Sequence, residues 1–197
     1  MKRWFRFKKK KPIIIVSGLP RSGTSMAMSM LEAAGIPPLT DQIRQPDSDN
    51  PKGYFEFERV KKLRDGDTSW LADAEGKAVK IIASLISYLP PNYEYRVLFM
   101  RRKIEEILAS QSKMLNNRGE EKNIDDEEMA DLFGKHLRQV RAWMNSQPNL
   151  LYLDLDYNAL VENPKPYVRQ INQFLDGGLD EKAMIAVVDK SLYRQRK

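Results

Sequence analysis

Hydrophobic and polar positions alternate in blocks that read as buried strands separated by amphipathic helices. Ile13 to Ser17 is a continuous β-branched run stopped by Gly18, the pattern of a strand covered on both faces of a parallel sheet. Further apolar runs at Ala78 to Ile82, Tyr95 to Met100 and Leu150 to Leu155 are strand candidates. Between them the apolar spacing turns helical. Thr24 to Ala34 is rich in helix formers and ends at Gly35, with Pro37 and Pro38 blocking its continuation. On 103–118 the helical face is Ile104, Ile107, Leu108, Met114 and Leu115; on 125–147 it is Met129, Leu132, Phe133, Leu137, Val140, Trp143 and Met144. Asp125 and Asp126 suit the start of that second helix, Pro164 starts another reaching Leu175, and Asp180 caps a last one reaching Val188. Strands alternating with helices predict an α/β, three-layer fold, with a mostly parallel sheet covered by helices on both faces. The polar, proline-punctuated stretch from Ile36 to Gly53 reads as a long loop outside the core, of the kind that is functional or flexible.

Composition changes this picture in one place. The 197 residues suffice for one well-cored domain, and the formal charge of +6 suggests nucleic acid until it is located. Residues 2–11, "KRWFRFKKKK", hold seven of the 33 Lys and Arg and no acid, which leaves 26 against the chain's 27 acidic residues. The basicity therefore belongs to a tail, residues 1–11, and not to the domain at 12–197, so no nucleic-acid partner is expected. Trp4, Phe5 and Phe7 interleave with the cations of that tail, a pattern suited to a frayed, solvated end or to peripheral contact with an anionic membrane. With no cysteine and no export or insertion signal, the expectation is a cytoplasmic protein, with the tail able to meet the inner face of the membrane.

The chemistry starts at the turn "GLPRSGTS", Gly18 to Ser25, between the first strand and the first helix. A glycine-rich turn feeding a helix N-terminus aims free backbone N–H groups and the positive end of the helix dipole at one point, and so binds phosphate or sulfate. The spacing satisfies G-x-x-x-x-G-x-[ST], but Thr24 stands where an ATP loop carries lysine. Arg21 supplies the cation from within the turn, and its planar fork suits a pair of phosphate or sulfuryl oxygens. Pro20, Arg21, Ser22, Gly23, Thr24 and Ser25 are the candidate anion-binding residues.

The stretch "PRSGTS" after a buried strand resembles the 5′-phosphosulfate loop of the sulfotransferases that use 3′-phosphoadenosine 5′-phosphosulfate (PAPS), and three later segments agree in order. "YRVLFMRRKIEEILASQ" resembles the family's strand, arginine and helix for the 3′-phosphate, in which a serine follows the arginine by eight residues, as Ser110 follows Arg102. Arg101 is the alternative to Arg102. "KAVKIIASLISYLP" resembles the segment with the catalytic lysine, which falls on Lys80, and "LDYNALVENP" resembles a late Tyr-Glu-Asp-Leu stretch before a helix-opening Asn-Pro. The resemblance covers roughly residues 12–175. It implies a P-loop NTPase-like topology, PAPS as co-substrate without a metal, and a small-molecule, sugar or lipid acceptor. The terminal "SLYRQRK" does not match the family's Arg-Lys-Gly motif firmly.

One departure matters. The cytosolic branch places a histidine base two residues after the lysine, and that position is Ile82. Branches that use a carboxylate instead direct attention to Glu56 and Glu58, which alternate with Phe55 and Phe57. An extended backbone would put both acids on one face, and the adjacent rings would push a carboxyl's pKa toward neutrality. Glu56 is preferred over Glu58. His136, the one histidine, lies on a helix's apolar stripe between Leu132 and Val140 and is expected to be a packed, hydrogen-bonded core residue. Two rival readings stand at this point: a P-loop kinase with "LLYLDLD" as its metal-holding strand, and a nucleotide-binding module of this fold without catalysis.

Overall fold

The computed structural model describes residues 11–41, 43, 53–119 and 124–189, with the side chain of residue 118 left out. Most of the tail, part of the polar loop and the terminal "SLYRQRK" lie outside the described residues. The four expected strands form one sheet: β1 (Ile13–Gly18), β2 (Ala78–Lys80), β3 (Tyr95–Arg101) and β4 (Leu150–Asp156), in the order β2-β1-β3-β4. All three pairings are parallel, with Val16 opposite Lys80, Gly18 opposite Met100, and Arg101 opposite Asp156. Parallel strands in this order need crossovers on both faces, which makes the domain three-layered. The fold is α/β, as the alternating pattern predicts, with the P-loop NTPase-like topology that the resemblance implies.

Each face has its own apolar core. Alternate residues of β1 and β3 divide between them, Ile13, Ile15, Val97 and Phe99 to one side and Ile14, Val16, Leu98 and Met100 to the other. The first side packs against 3₁₀ helices at Glu58–Asp65, Ser69–Ala74 and Ala83–Tyr88, with Trp70 only 1% exposed, and against α3 (Asp126–Ser146). The second packs against α1 (Thr24–Ala33), α4 (Tyr157–Glu162), α5 (Pro164–Phe174) and α6 (Glu181–Val187). α2 (Ile104–Arg118) leaves the end of β3 with Ile107 and Leu108 buried.

The structure corrects four local expectations. The Ile36–Gly53 stretch is not wholly outside the core: Pro38 forms a parallel bridge with Ala78, Leu39 N donates to Ala78 O at 2.7 Å, and Ile36 is buried. The free edge of β2 draws the start of that loop in, because its unpaired peptide groups need partners. β2 ends at Lys80; Ile81 stays buried, and Ile82 turns out to 39% exposure as the chain enters a 3₁₀ helix. On α3 the buried seam is confined to the C-terminal half, Val140 and Met144, while Leu132 is 45% exposed. Met129, Phe133 and Leu137 of the expected face are half-buried. The segment Asp156–Glu162 forms the short helix α4, capped where Asp156 Oδ1 accepts from Ala159 N at 3.0 Å, an element the apolar pattern does not announce.

Candidate active site

The parallel register brings the ends of β1, β2 and β3 to one edge of the sheet, the carboxyl edge where α/β folds bind ligands. Lys80 closes β2, the turn Gly18–Gly23 leaves β1, and Arg101 and Arg102 close β3 and lead into α2. Lys80, the turn and Arg102, far apart in sequence, thus share one rim.

The turn is held by close packing. A Cβ on Gly18 would lie 2.6 Å from Met100 O, and one on Gly23 would lie 2.2 Å from Cδ2 of the Tyr157 ring. Glycine is required at both places by space as well as by φ, +149° and +95°. Arg21 is itself left-handed, with φ of 69°, a conformation that costs a non-glycine residue about 1 kcal/mol or more and must be held by its neighbours. The brace is Arg102, whose terminal nitrogen donates to Arg21 O at 3.0 Å. From the front, Arg21 Nε donates to Ser110 Oγ at 2.9 Å. Gly23 caps α1 with no side chain, and no acid stands in its first turn, so the positive helix end carries no competing carboxylate. Ser22 is fully buried, while Thr24 and Ser25, half-buried, open α1; Pro20 is exposed.

Arg102 and Ser110, expected to act as a pair, do not bond each other in the arrangement observed. Arg102 is 7% exposed at its side chain and pairs with Glu106, which is 0% exposed, at 2.9 Å. Its guanidinium also stacks on the Tyr157 ring, 4.7 Å from the centroid, and Asn158 Nδ2 donates to the other Glu106 oxygen at 2.8 Å. Burial pushes the Tyr157 hydroxyl's pKa up, against an opposing pull from Arg102. Glu106, Tyr157 and Asn158 thus form a buried support behind the turn. Sequence reasoning singled out none of them, although the i, i+4 spacing of Arg102 and Glu106 was a readable signal. Arg101 is exposed.

Lys80 Nζ donates to the carbonyl of Tyr54 and stands 6.0 Å from the centroid of that ring, which joins the rim to the glutamate segment. The regular alternation expected of that segment is corrected. Phe55 is left-handed at φ 52° and Glu58 begins a 3₁₀ helix, so the two acids are not successive same-face positions of one strand. The cause is Asp41 and Thr40. Thr40 Oγ1 donates to Glu56 O at 2.8 Å, and Asp41 Oδ2 accepts from Glu58 N at 2.6 Å, bending the chain between them. Lys61 Nζ reaches both oxygens of Glu58, at 2.7 and 2.8 Å, and that hydrogen bond raises the lysine's pKa.

His136 is half-buried, and its Nε2 has no hydrogen-bond partner among the described residues, which corrects the expected bonded core histidine. Burial lowers its pKa from the ordinary 6.5. The acids of "LLYLDLD" are also accounted for: Asp154 is ion-paired with Arg141, and Asp156 caps α4. The kinase reading needed these carboxylates for a metal.

Residues 11–197 match the family described as the sulfotransferase domain, and the chain belongs to that family, a class of transferase enzymes. The similarity in sequence to solved structures is low and shows the fold. A sulfotransferase from Mycobacterium tuberculosis H37Rv aligns at 18% identity and TM-score 0.58, over 92% of this chain and 72% of that one. The sulfotransferase domain of the Synechococcus PCC 7002 olefin synthase aligns at 15% identity and 0.54, over 100% and 87%. Retinol dehydratase, solved with androsterone and the inactive cofactor PAP, aligns at 19% identity and 0.52, over 91% and 63%. The chain matches no curated protein sequence. No described helix is long and apolar enough to cross a membrane.

Proposed function

We propose that the domain, residues 12–197, moves a sulfuryl group from PAPS to a hydroxyl or amine acceptor. The observation that carries this reading is the left-handed Arg21, braced by Arg102 and turned onto Ser110 at the uncapped N-terminus of α1. These residues fit a phosphosulfate end: a cation, a helix N-terminus and no carboxylate in the first turn. Retinol dehydratase, of the same fold, was solved with PAP. The 3′-phosphate falls to Arg102 and Ser110. Ser110 accepts from Arg21, so its own O–H is left to donate to a phosphate oxygen.

PAPS supplies the activated sulfuryl group, and the chain's residues supply the rest. Backbone N–H groups within 21–25, apart from that of Ser22, which donates to Leu19 O at 3.2 Å, act with Arg21 and Thr24 to neutralise the charge that collects on the departing 5′-phosphate. Lys80 moves from the Tyr54 carbonyl to the bridging oxygen as the S–O bond breaks. Preorganised donors of this kind are worth about 3 kcal/mol each in the transition state. Glu56 accepts the acceptor's proton as the new S–O or S–N bond forms. Glu58, answered on both oxygens by Lys61, is the second choice. The basic aromatic tail adds contact with anionic lipid at the inner membrane face, which co-sedimentation with vesicles, with and without residues 1–11, tests.

Mass-detected sulfation of an acceptor panel tests the transfer. Turnover is expected to fall at least about 100-fold in Lys80→Ala and in Arg21→Ala. Turnover unchanged in both would sink the assignment, and binding of PAP with no acceptor sulfated would favour the non-catalytic module.

A further inference from the structure

Behind the turn, on the α3 side of the sheet, lies a cleft of about 240 Å³. Leu19 of the turn, Phe99 of β3, Ile107 of α2 and Leu137 of α3 give it an apolar floor. Its rim is cationic, from Arg101, Arg138 and Arg141, with the buried Arg102 of the proposed donor site in its wall. Among the described residues, neither Arg101 nor Arg138 has an ion-pair or hydrogen-bond partner, and both are exposed. Arg141 pairs with Asp154, yet its buried Nε has no partner. Ser22, which belongs to both the turn and the cleft wall, likewise has a buried, unpartnered hydroxyl.

Four guanidinium groups around one apolar cavity, of which Arg102 is paired with Glu106 and Arg141 with Asp154, leave the charges of Arg101 and Arg138 without a described acid to answer them. An anion seated at this rim would answer that charge. The apolar floor adds a second requirement. A bare inorganic ion gains nothing from Phe99, Ile107 and Leu137, whereas an organic acid can bury carbon there while its charge meets the rim. A volume of 240 Å³ admits a small aromatic or short-chain acid.

We infer that this cleft holds the anionic group of the acceptor, so that the substrate is a carboxylate-, phosphate- or sulfate-bearing amphiphile with Arg138 as its specificity-determining residue. The inference rests on the proposed transfer to an acceptor and narrows its class. Because Ser22 and Leu19 border both the turn and the cleft, an acid seated there lies against the donor loop.

The test uses the full chain with 4-hydroxyphenylacetate, phenyl phosphate and uncharged 4-methylphenol as probes, titrated by calorimetry or ligand-observed NMR. Wild type is expected to bind both acids at least about tenfold more tightly than the neutral phenol. Arg138→Gln should shrink that preference and Arg138→Glu abolish it, with PAP affinity unchanged, since Arg138 is an exposed residue outside the donor loop. Equal binding of acid and phenol by wild type overturns the inference, as does a preference that survives Arg138→Glu. Loss of PAP affinity in Arg138→Glu, with the acid preference intact, also overturns it and gives the cleft's charge to the donor's own 3′-phosphate. Absence of PAP binding to wild type is a different failure, which removes the donor reading and this inference with it.

Discussion

Arg21 Nε and Ser110 Oγ, 89 positions apart in sequence, are joined by a hydrogen bond of 2.9 Å that ties the turn after β1 to the second turn of α2. The bond couples the two anion sites that a phosphosulfate and a 3′-phosphate would need. Ser110→Ala removes it without opening a large cavity. We expect a stability loss of about 1 kcal/mol and a loss of PAP affinity of about tenfold or more, because the cation and the phosphate donor are lost as a unit. Chemical denaturation and calorimetry on the same variant separate the two effects. A stability loss with unchanged PAP affinity would mean that the bond is only structural.

Gly23 is the tightest point of the turn. The Cβ of Gly23→Ala would meet the Tyr157 ring at 2.2 Å, and φ is +95°. Destabilisation of about 2–4 kcal/mol is expected, together with loss of nucleotide binding. Tyr157→Ala in the same chain should recover part of the stability by removing the clash. No recovery in the double variant would place the cost in φ alone.

The buried pair of Arg102 and Glu106 gives a two-part expectation. Glu106→Ala leaves a guanidinium 7% exposed without its carboxylate, and should cost about 3–5 kcal/mol. Replacing the pair with Arg102→Met and Glu106→Leu should restore most of that stability, since uncharged residues need no compensation. It should not restore PAP binding, because the Arg21 carbonyl has lost its brace. Recovery of both properties would remove Arg102 from the site.

His136 predicts a pH dependence. Its folded pKa is depressed below 6.5 by burial, so at falling pH the unfolded chain takes up the proton first. Stability from this group is therefore full above pH 6.5 and declines as pH falls below it. Thermal unfolding from pH 7.5 to 5.5 should show a slope that His136→Gln reduces. An equal slope in the variant would assign the dependence to other groups.

Much of this fold was legible in the chain because burial on both faces forces long apolar runs. Ile13 to Val16 and Val97 to Met100 have no polar position to misplace. The helices 104–118 and 126–146 were readable for the same reason, from spacing. What escaped was tertiary. That Leu132 is exposed depends on which neighbours pack against α3, which its own period does not encode. The bend between Glu56 and Glu58 is held by Thr40 and Asp41 from an earlier segment. Arg21, Lys80, Arg102 and Ser110 were named from motif and resemblance, while nothing in the sequence singled out Glu106 or Asn158, the latter in a helix that the apolar pattern does not announce. Their role follows only from the hydrogen bond that joins Asn158 to Glu106 and the ion pair of Glu106 with Arg102.

The turn from Gly18 to Ser25 is proposed to hold a phosphosulfate donor and not ATP. Calorimetric titration of the full chain with PAP, with ATP and magnesium, and with adenosine 5′-monophosphate tests it most directly. PAP is expected to bind at least about 100-fold more tightly than either of the others, and Arg21→Ala to remove most of the difference. Preferential binding of ATP with magnesium, or a PAP affinity indifferent to Arg21, would contradict it.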